Sequence, residues 1–111
     1  MPAVVLRYRV TVYISRDREE DWRQWMLGKH IPDVMATGYF TDWQMSEIIG
    51  SSSGSAAPEG KNGYVIEYAA ASPEDYETYQ RDCAPALQKE HTQRYAGDFE
   101  ATRVLLTDYA A

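Results

Sequence analysis

Residues 4–14, VVLRYRVTVYI, alternate: Val4, Leu6, Tyr8, Val10, Val12 and Ile14 fall on one side, and Arg7, Arg9, Thr11 and Tyr13 on the other. Successive side chains of a strand point to opposite faces, so this period predicts a strand with one strongly apolar face. The period then changes. In REEDWRQWMLGKH, residues 18–30, Trp22, Trp25, Met26 and Lys29 share one helical arc and most charges lie elsewhere. That predicts a first helix, entered through an SRD stretch able to cap it. Pro32 has no amide proton and is expected to interrupt or restart the helix, and Gly38 to end the segment before the β-favouring run YFTDWQMSEII.

The second half repeats this order. Residues 50–63, GSSSGSAAPEGKNG, are too small and polar to pack and predict a flexible hairpin connection. YVIEYAA (64–70) reads as a strand, and Ser72 followed by Pro73 as a helix start. Tyr76, Tyr79, Cys83 and Leu87 form a stripe that Pro85 breaks partway; the helix resumes to Gly97, and FEATRVLL closes the chain as a strand. EDWRQW at 20–25 is echoed by EDYETY at 74–79. Two βαβ halves predict an α+β, ferredoxin-like βαββαβ fold: one domain over 1–111, with a four-stranded antiparallel sheet and two helices on one face.

Composition narrows what such a domain does. With 111 residues, 44% of them hydrophobic, the chain supports one core. No apolar run approaches the ~20 residues that span a bilayer, and MPAVVLRYRV lacks a signal-peptide core; the expectation is a cytoplasmic protein with no membrane partner. The net charge of -6 and the scattered basic residues argue against a nucleic-acid partner. A lone cysteine, Cys83, removes internal disulfides and multi-cysteine zinc patterns. Nine tyrosines and three tryptophans suit a ligand cavity, a subunit interface or an aromatic core.

HIPDVMATGYF (30–40) and APALQKEHTQRYAGDFEATRVLL (84–106), with the tryptophan-rich first helix, resemble a family of small bacterial proteins of unknown function in the dimeric α+β barrel superfamily. The resemblance implies a homodimer whose sheets meet face to face, with a cavity between sheet and helices in each protomer. Relatives at superfamily level include cofactor-free monooxygenases, haem-degrading enzymes and sugar mutarotases. His30, Pro32 and Gly38 resemble the arrangement in which a mutarotase histidine transfers protons.

The candidate chemistry centres on the two histidines. At about 100° per residue His30 lies about 80° from Trp22, at the edge of the apolar arc, and His91 lies about 60° from Tyr76. Each is placed either to transfer protons at a cavity or to hydrogen-bond a helix-end carbonyl. Trp22, Trp25, Met26 and Tyr76 are the candidate ligand-binding residues, and equally core residues. Cys83 and His91 are about 12 Å apart along a helix, too far for a thiol-imidazole pair. Two histidines without a carboxylate motif make a poor metal site, so no metal and no cofactor are expected. Arg7, Arg9 and Arg103 are expected to lie together, holding an anion or pairing with Glu67 at a dimer interface. No phosphate loop and no nucleophile elbow is present. The readings left open are a cavity that binds a small molecule, a cofactor-free enzyme of monooxygenase, isomerase or mutarotase type using His30 with His91, and a structural dimer.

Overall fold

In the computed structural model, which describes residues 6–52 and 57–109, β1 (Leu6–Ser15) is followed by α1 (Glu19–Trp25), a π turn (Met26–His30) and α2 (Ile31–Ala36). Then come β2 (Asp42–Glu47), β3 (Lys61–Ala70), α3 (Pro73–Asp82), α4 (Ala84–Arg94) and β4 (Phe99–Thr107). Val4 and Val5 of the expected first strand and residues 53–56 of the expected connection lie outside the described residues. β3 starts at Lys61, so the last three residues of that connection are strand.

The sheet has four strands in the order β2-β3-β1-β4, every pair antiparallel. This is the ferredoxin-like order, with β4 beside β1. The predicted alternation of β1 decides which side is covered. Tyr8, Val12 and Ile14 are buried beneath the helices, together with Tyr64, Ile66 and Tyr68 of β3. Arg7, Arg9, Thr11 and Tyr13 point to the other face. There Arg9 Nε donates to Glu67 Oε2 at 2.9 Å, and Arg7 Nε lies 3.5 Å from Glu67 Oε1.

The first helical segment shows the restart expected at Pro32, which stands in the opening turn of α2. Helical winding continues from Glu19 to Ala36, and the proline is absorbed by five residues of π turn, in which Ile31 N donates to Met26 O. An i→i+5 turn takes up about one extra residue and so rotates the residues beyond it back toward the apolar stripe. His30, which uniform α-helical winding leaves at the edge of the arc, is thereby carried inward. In the second segment Ser72 caps α3 by accepting from Asp75 N at 3.2 Å, with Pro73 at the first turn. The break falls at Cys83, between α3 and α4, and Pro85 sits in the opening turn of α4, where a missing N–H costs nothing.

Candidate functional site

Between the sheet and the helices is a cavity of about 40 Å³. Its floor is Val10 and Val12 of β1, Ile66 of β3 and Ala101 of β4, and its apolar walls are Met26 and Val34. Ala101 pairs with Val12 on this face, and a small side chain there leaves space that a larger one would fill. The polar lining is His30 from the π turn, Gln88 and His91 from α4, and Arg103 from β4. Three tyrosines, Tyr8, Tyr68 and Tyr79, complete it.

The two histidines, distant in sequence, meet here with ring centroids 5.9 Å apart, and their surroundings differ. Trp22 Nε1 donates to His91 Nε2 at 2.9 Å. An indole N–H can only donate, so His91 Nε2 carries the lone pair and the neutral ring holds its proton on Nδ1. Phe99 packs edge-on against the imidazole at 4.5 Å. Burial, with His30 and Arg103 nearby, pushes the His91 pKa down to about 4. His30 stacks on Trp25 with ring centroids 5.1 Å apart, a contact between residues five apart that the π turn brings onto one side of the helix. Its Nδ1 is buried and has no hydrogen-bond partner. Burial lowers the His30 pKa as well, against the opposing pull of Glu90 and Asp33. Those two carboxylates lie 3.4 and 2.7 Å from Lys29 Nζ.

Of the four residues expected to bind a ligand, only Met26 lines the cavity. Trp22 is fully buried and acts through its bond to His91. Trp25 lies behind His30 as its stacking partner. Tyr76 packs on Tyr8 at 5.3 Å, with its hydroxyl donating to Gln80. The helix-face stripe read from sequence is correct as a stripe, but its centre is filled core, and the space opens where smaller residues meet the sheet.

Arg103 is the second correction. It pairs with Val10 rather than with an odd-numbered residue of β1, so it shares the covered face and is separated by the sheet from Arg7 and Arg9. Side-chain alternation in Phe99, Ala101, Arg103, Leu105 carried this signal: a cation stands in the apolar register of β4. Its guanidinium holds back the rise that burial imposes on the Tyr8 hydroxyl, as does the nearby Gln88 amide. Gln88 was legible too, one helical turn before His91 on the same face of α4. Its amide nitrogen is buried without an acceptor. No group of three or more metal-ligating side chains occurs among the described residues.

Residues 5–109 match the family model described as Domain of unknown function (DUF4286). The chain belongs to this family. No curated protein sequence matches it. Among solved structures this DUF4286 chain is similar to hydroxynitrile lyase from Passiflora edulis, with a TM-score of 0.72 and 12% identity over 100% of this chain and 98% of that one. It is similar to SnoaB, a cofactor-independent oxygenase from Streptomyces nogalater, with a TM-score of 0.64 and 8% identity over 96% and 95% of the two chains. It is also similar to a dimeric ferredoxin-like protein from an uncultured marine organism, with a TM-score of 0.61 and 8% identity over 97% and 98%. At these identities the likeness establishes the ferredoxin-like fold and leaves the chemistry to the site. Among the described residues no helix is long and apolar enough to cross a membrane.

Proposed function

We propose that this protein binds a small molecule in the cavity between sheet and helices, and that His30 is the group that acts on it. The observation that carries the reading is the pair of buried polar atoms at this cavity, His30 Nδ1 and Gln88 Nε2, that the protein leaves without partners. Buried polar groups are nearly always hydrogen-bonded, because an unmade bond costs about 1–3 kcal/mol, so two of them at one void indicate that something outside the chain supplies the partner.

His30 further favours cofactor-free proton transfer over binding alone. Desolvation keeps its imidazole neutral near pH 7, the state of a general base, and Trp25 holds the ring flat. The step is simple: an imidazole nitrogen takes a proton from the bound molecule, the ring becomes imidazolium, and the proton returns at another position. His91 Nε2 is already occupied by Trp22, so His91 orients the site and His30 moves the proton. The hydroxynitrile lyase and cofactor-independent oxygenase among similar folds are compatible with such chemistry. A thermal-shift screen on the wild type, His30→Ala and His91→Ala, followed by deuterium exchange of C–H protons in any bound compound, tests both steps. Hits that His30→Ala binds normally would remove His30 from the site. Binding without exchange would leave a binding module.

We also propose that two copies meet through the open face of the sheet. An uncovered sheet face is usually polar, yet here Val104 is 49% exposed, and Tyr13 lies across Gly63, where an added Cβ would come within 2.7 Å of its ring. Sedimentation at micromolar concentration should show a dimer of the 12.7 kDa chain that Val104→Glu dissociates, and a wild-type monomer would end this reading.

A further inference from the structure

We infer that Arg103, with Tyr8 and Gln88, makes this cavity selective for a single carboxylate: the ligand is a short-chain monocarboxylate whose charged end sits at Arg103 and whose carbon chain points toward Met26, Val34 and Ile66. This deepens the reading of the cavity as a ligand site and rests on it.

Three observations support it. First, Arg7, Arg9, Arg18, Arg23, Arg81 and Arg94 each face a carboxylate of the chain. Arg16 meets the Asn62 amide oxygen at 3.4 Å. Arg103 faces no carboxylate among the described residues, in a chain whose net charge is -6 and in which acids outnumber bases. Second, the carboxylates that act on His30, Glu90 and Asp33, are both paired with Lys29 rather than with Arg103. The cavity lining itself includes Arg103 and no carboxylate.

Third, the geometry gathers donors. Val10 pairs with Arg103 and Tyr8 pairs with Leu105, so Tyr8 and Arg103 are diagonal neighbours on the covered face, within reach of each other's long side chains. The buried Gln88 amide nitrogen, which makes no hydrogen bond within the chain and lies near the Tyr8 hydroxyl, lines the same space. A guanidinium, a phenol and an amide N–H around one point match the two oxygens of a carboxylate, which accept in bidentate fashion and donate nothing. Arg103 is exposed while the inner walls are apolar, which sets the direction: head at the mouth, chain inside. A cavity of about 40 Å³ restricts the chain to a few carbons.

The test titrates butyrate and its neutral counterpart butyramide into the full-length protein by isothermal calorimetry, using wild type, Arg103→Gln, Arg103→Lys, His30→Ala and Arg81→Gln. The expected result is that wild type binds butyrate at least about tenfold more tightly than butyramide, as a charge-assisted bidentate contact provides. Arg103→Gln should lose about tenfold for butyrate alone, Arg103→Lys should fall between, and Arg81→Gln should match wild type. Equal binding of acid and amide by wild type overturns the carboxylate assignment, whatever the variants do, and so does butyrate affinity unchanged in Arg103→Gln. If the amide binds as well as the acid and His30→Ala weakens both, the cavity reading stands while this one falls. If neither compound binds wild type, the carboxylate assignment falls, and the cavity reading then stands or falls with the thermal-shift screen.

Discussion

The α4 side of the cavity and the π-turn side each present a desolvated histidine that is uncharged at neutral pH, and they differ in one respect. His91 has its partner: Trp22 directs its only side-chain N–H at it, and Phe99 packs against the ring. His30 has a stacking partner but no hydrogen bond at Nδ1. Neutralising a histidine by burial is common to structural and functional sites, so the pKa shift does not separate them. Satisfaction does. A polar group whose bonds are complete contributes to stability, and one left open inside a cavity costs stability that a ligand can restore.

The sharpest way to break this comparison is to remove the satisfied member. His91→Ala leaves the fully buried Trp22 N–H without an acceptor and opens space beside Phe99, and is expected to cost about 2–4 kcal/mol, read as a lower urea midpoint at unchanged slope. A loss under about 1 kcal/mol would mean that the Trp22 bond does not matter. Acid provides the next test. The folded pKa of His91 is depressed to about 4 from 6.5, so its contribution is complete above pH 6.5, shrinks as the unfolded chain takes up the proton, and is fully lost below pH 4. That difference corresponds to about 3 kcal/mol, and His30 adds in the same direction. Unfolding free energies measured between pH 7 and pH 4 should therefore fall steeply in the wild type and less in His91→Gln. Parallel profiles would show that His91 is not the group being titrated.

Local structure is legible in the chain. The alternation in β1 and the Ser72–Pro73 helix start act through neighbouring residues alone, and both appear as expected. The features that sequence reading misplaces depend on relations between elements. Trp22 and Trp25 belong to one apolar stripe and Tyr76 to another, but whether a stripe faces core or cavity depends on the bulk of the residues opposite, here Ala101 and Val12. Counting strand neighbours without their faces groups Arg103 with Arg7 and Arg9, although the sheet lies between them. The π turn defeats a uniform 100° wheel, since one added residue rotates His30 from the edge of the arc toward its centre.

The unsatisfied member gives smaller effects. His30→Phe keeps a ring to stack on Trp25 and removes a buried nitrogen that has no partner, so stability should stay within about 1 kcal/mol of wild type or rise, while ligand-induced shifts in melting temperature disappear. A drop comparable to that of His91→Ala would show that His30 has a structural partner after all, and the two sides of the cavity would no longer differ.

The smallest effect probes the device that sets them apart. Gly28 lies in the π turn, has no positive φ, and an added Cβ there would meet nothing within 4 Å. No steric reason for glycine is present, so Gly28→Ala should stabilise the helix by about 0.5–1 kcal/mol through the reduced freedom of the unfolded chain. If the turn is held by Pro32 and by the packing of Met26 and Ile31, His30 keeps its place over Trp25 and its ring-current-shifted imidazole proton resonances do not move. If instead the glycine's freedom is what allows the wider turn, alanine will pull the segment toward α-helical winding. His30 then rotates back toward the edge of the arc, those resonances shift toward ordinary values, and ligand binding weakens although the new residue touches neither cavity nor ligand.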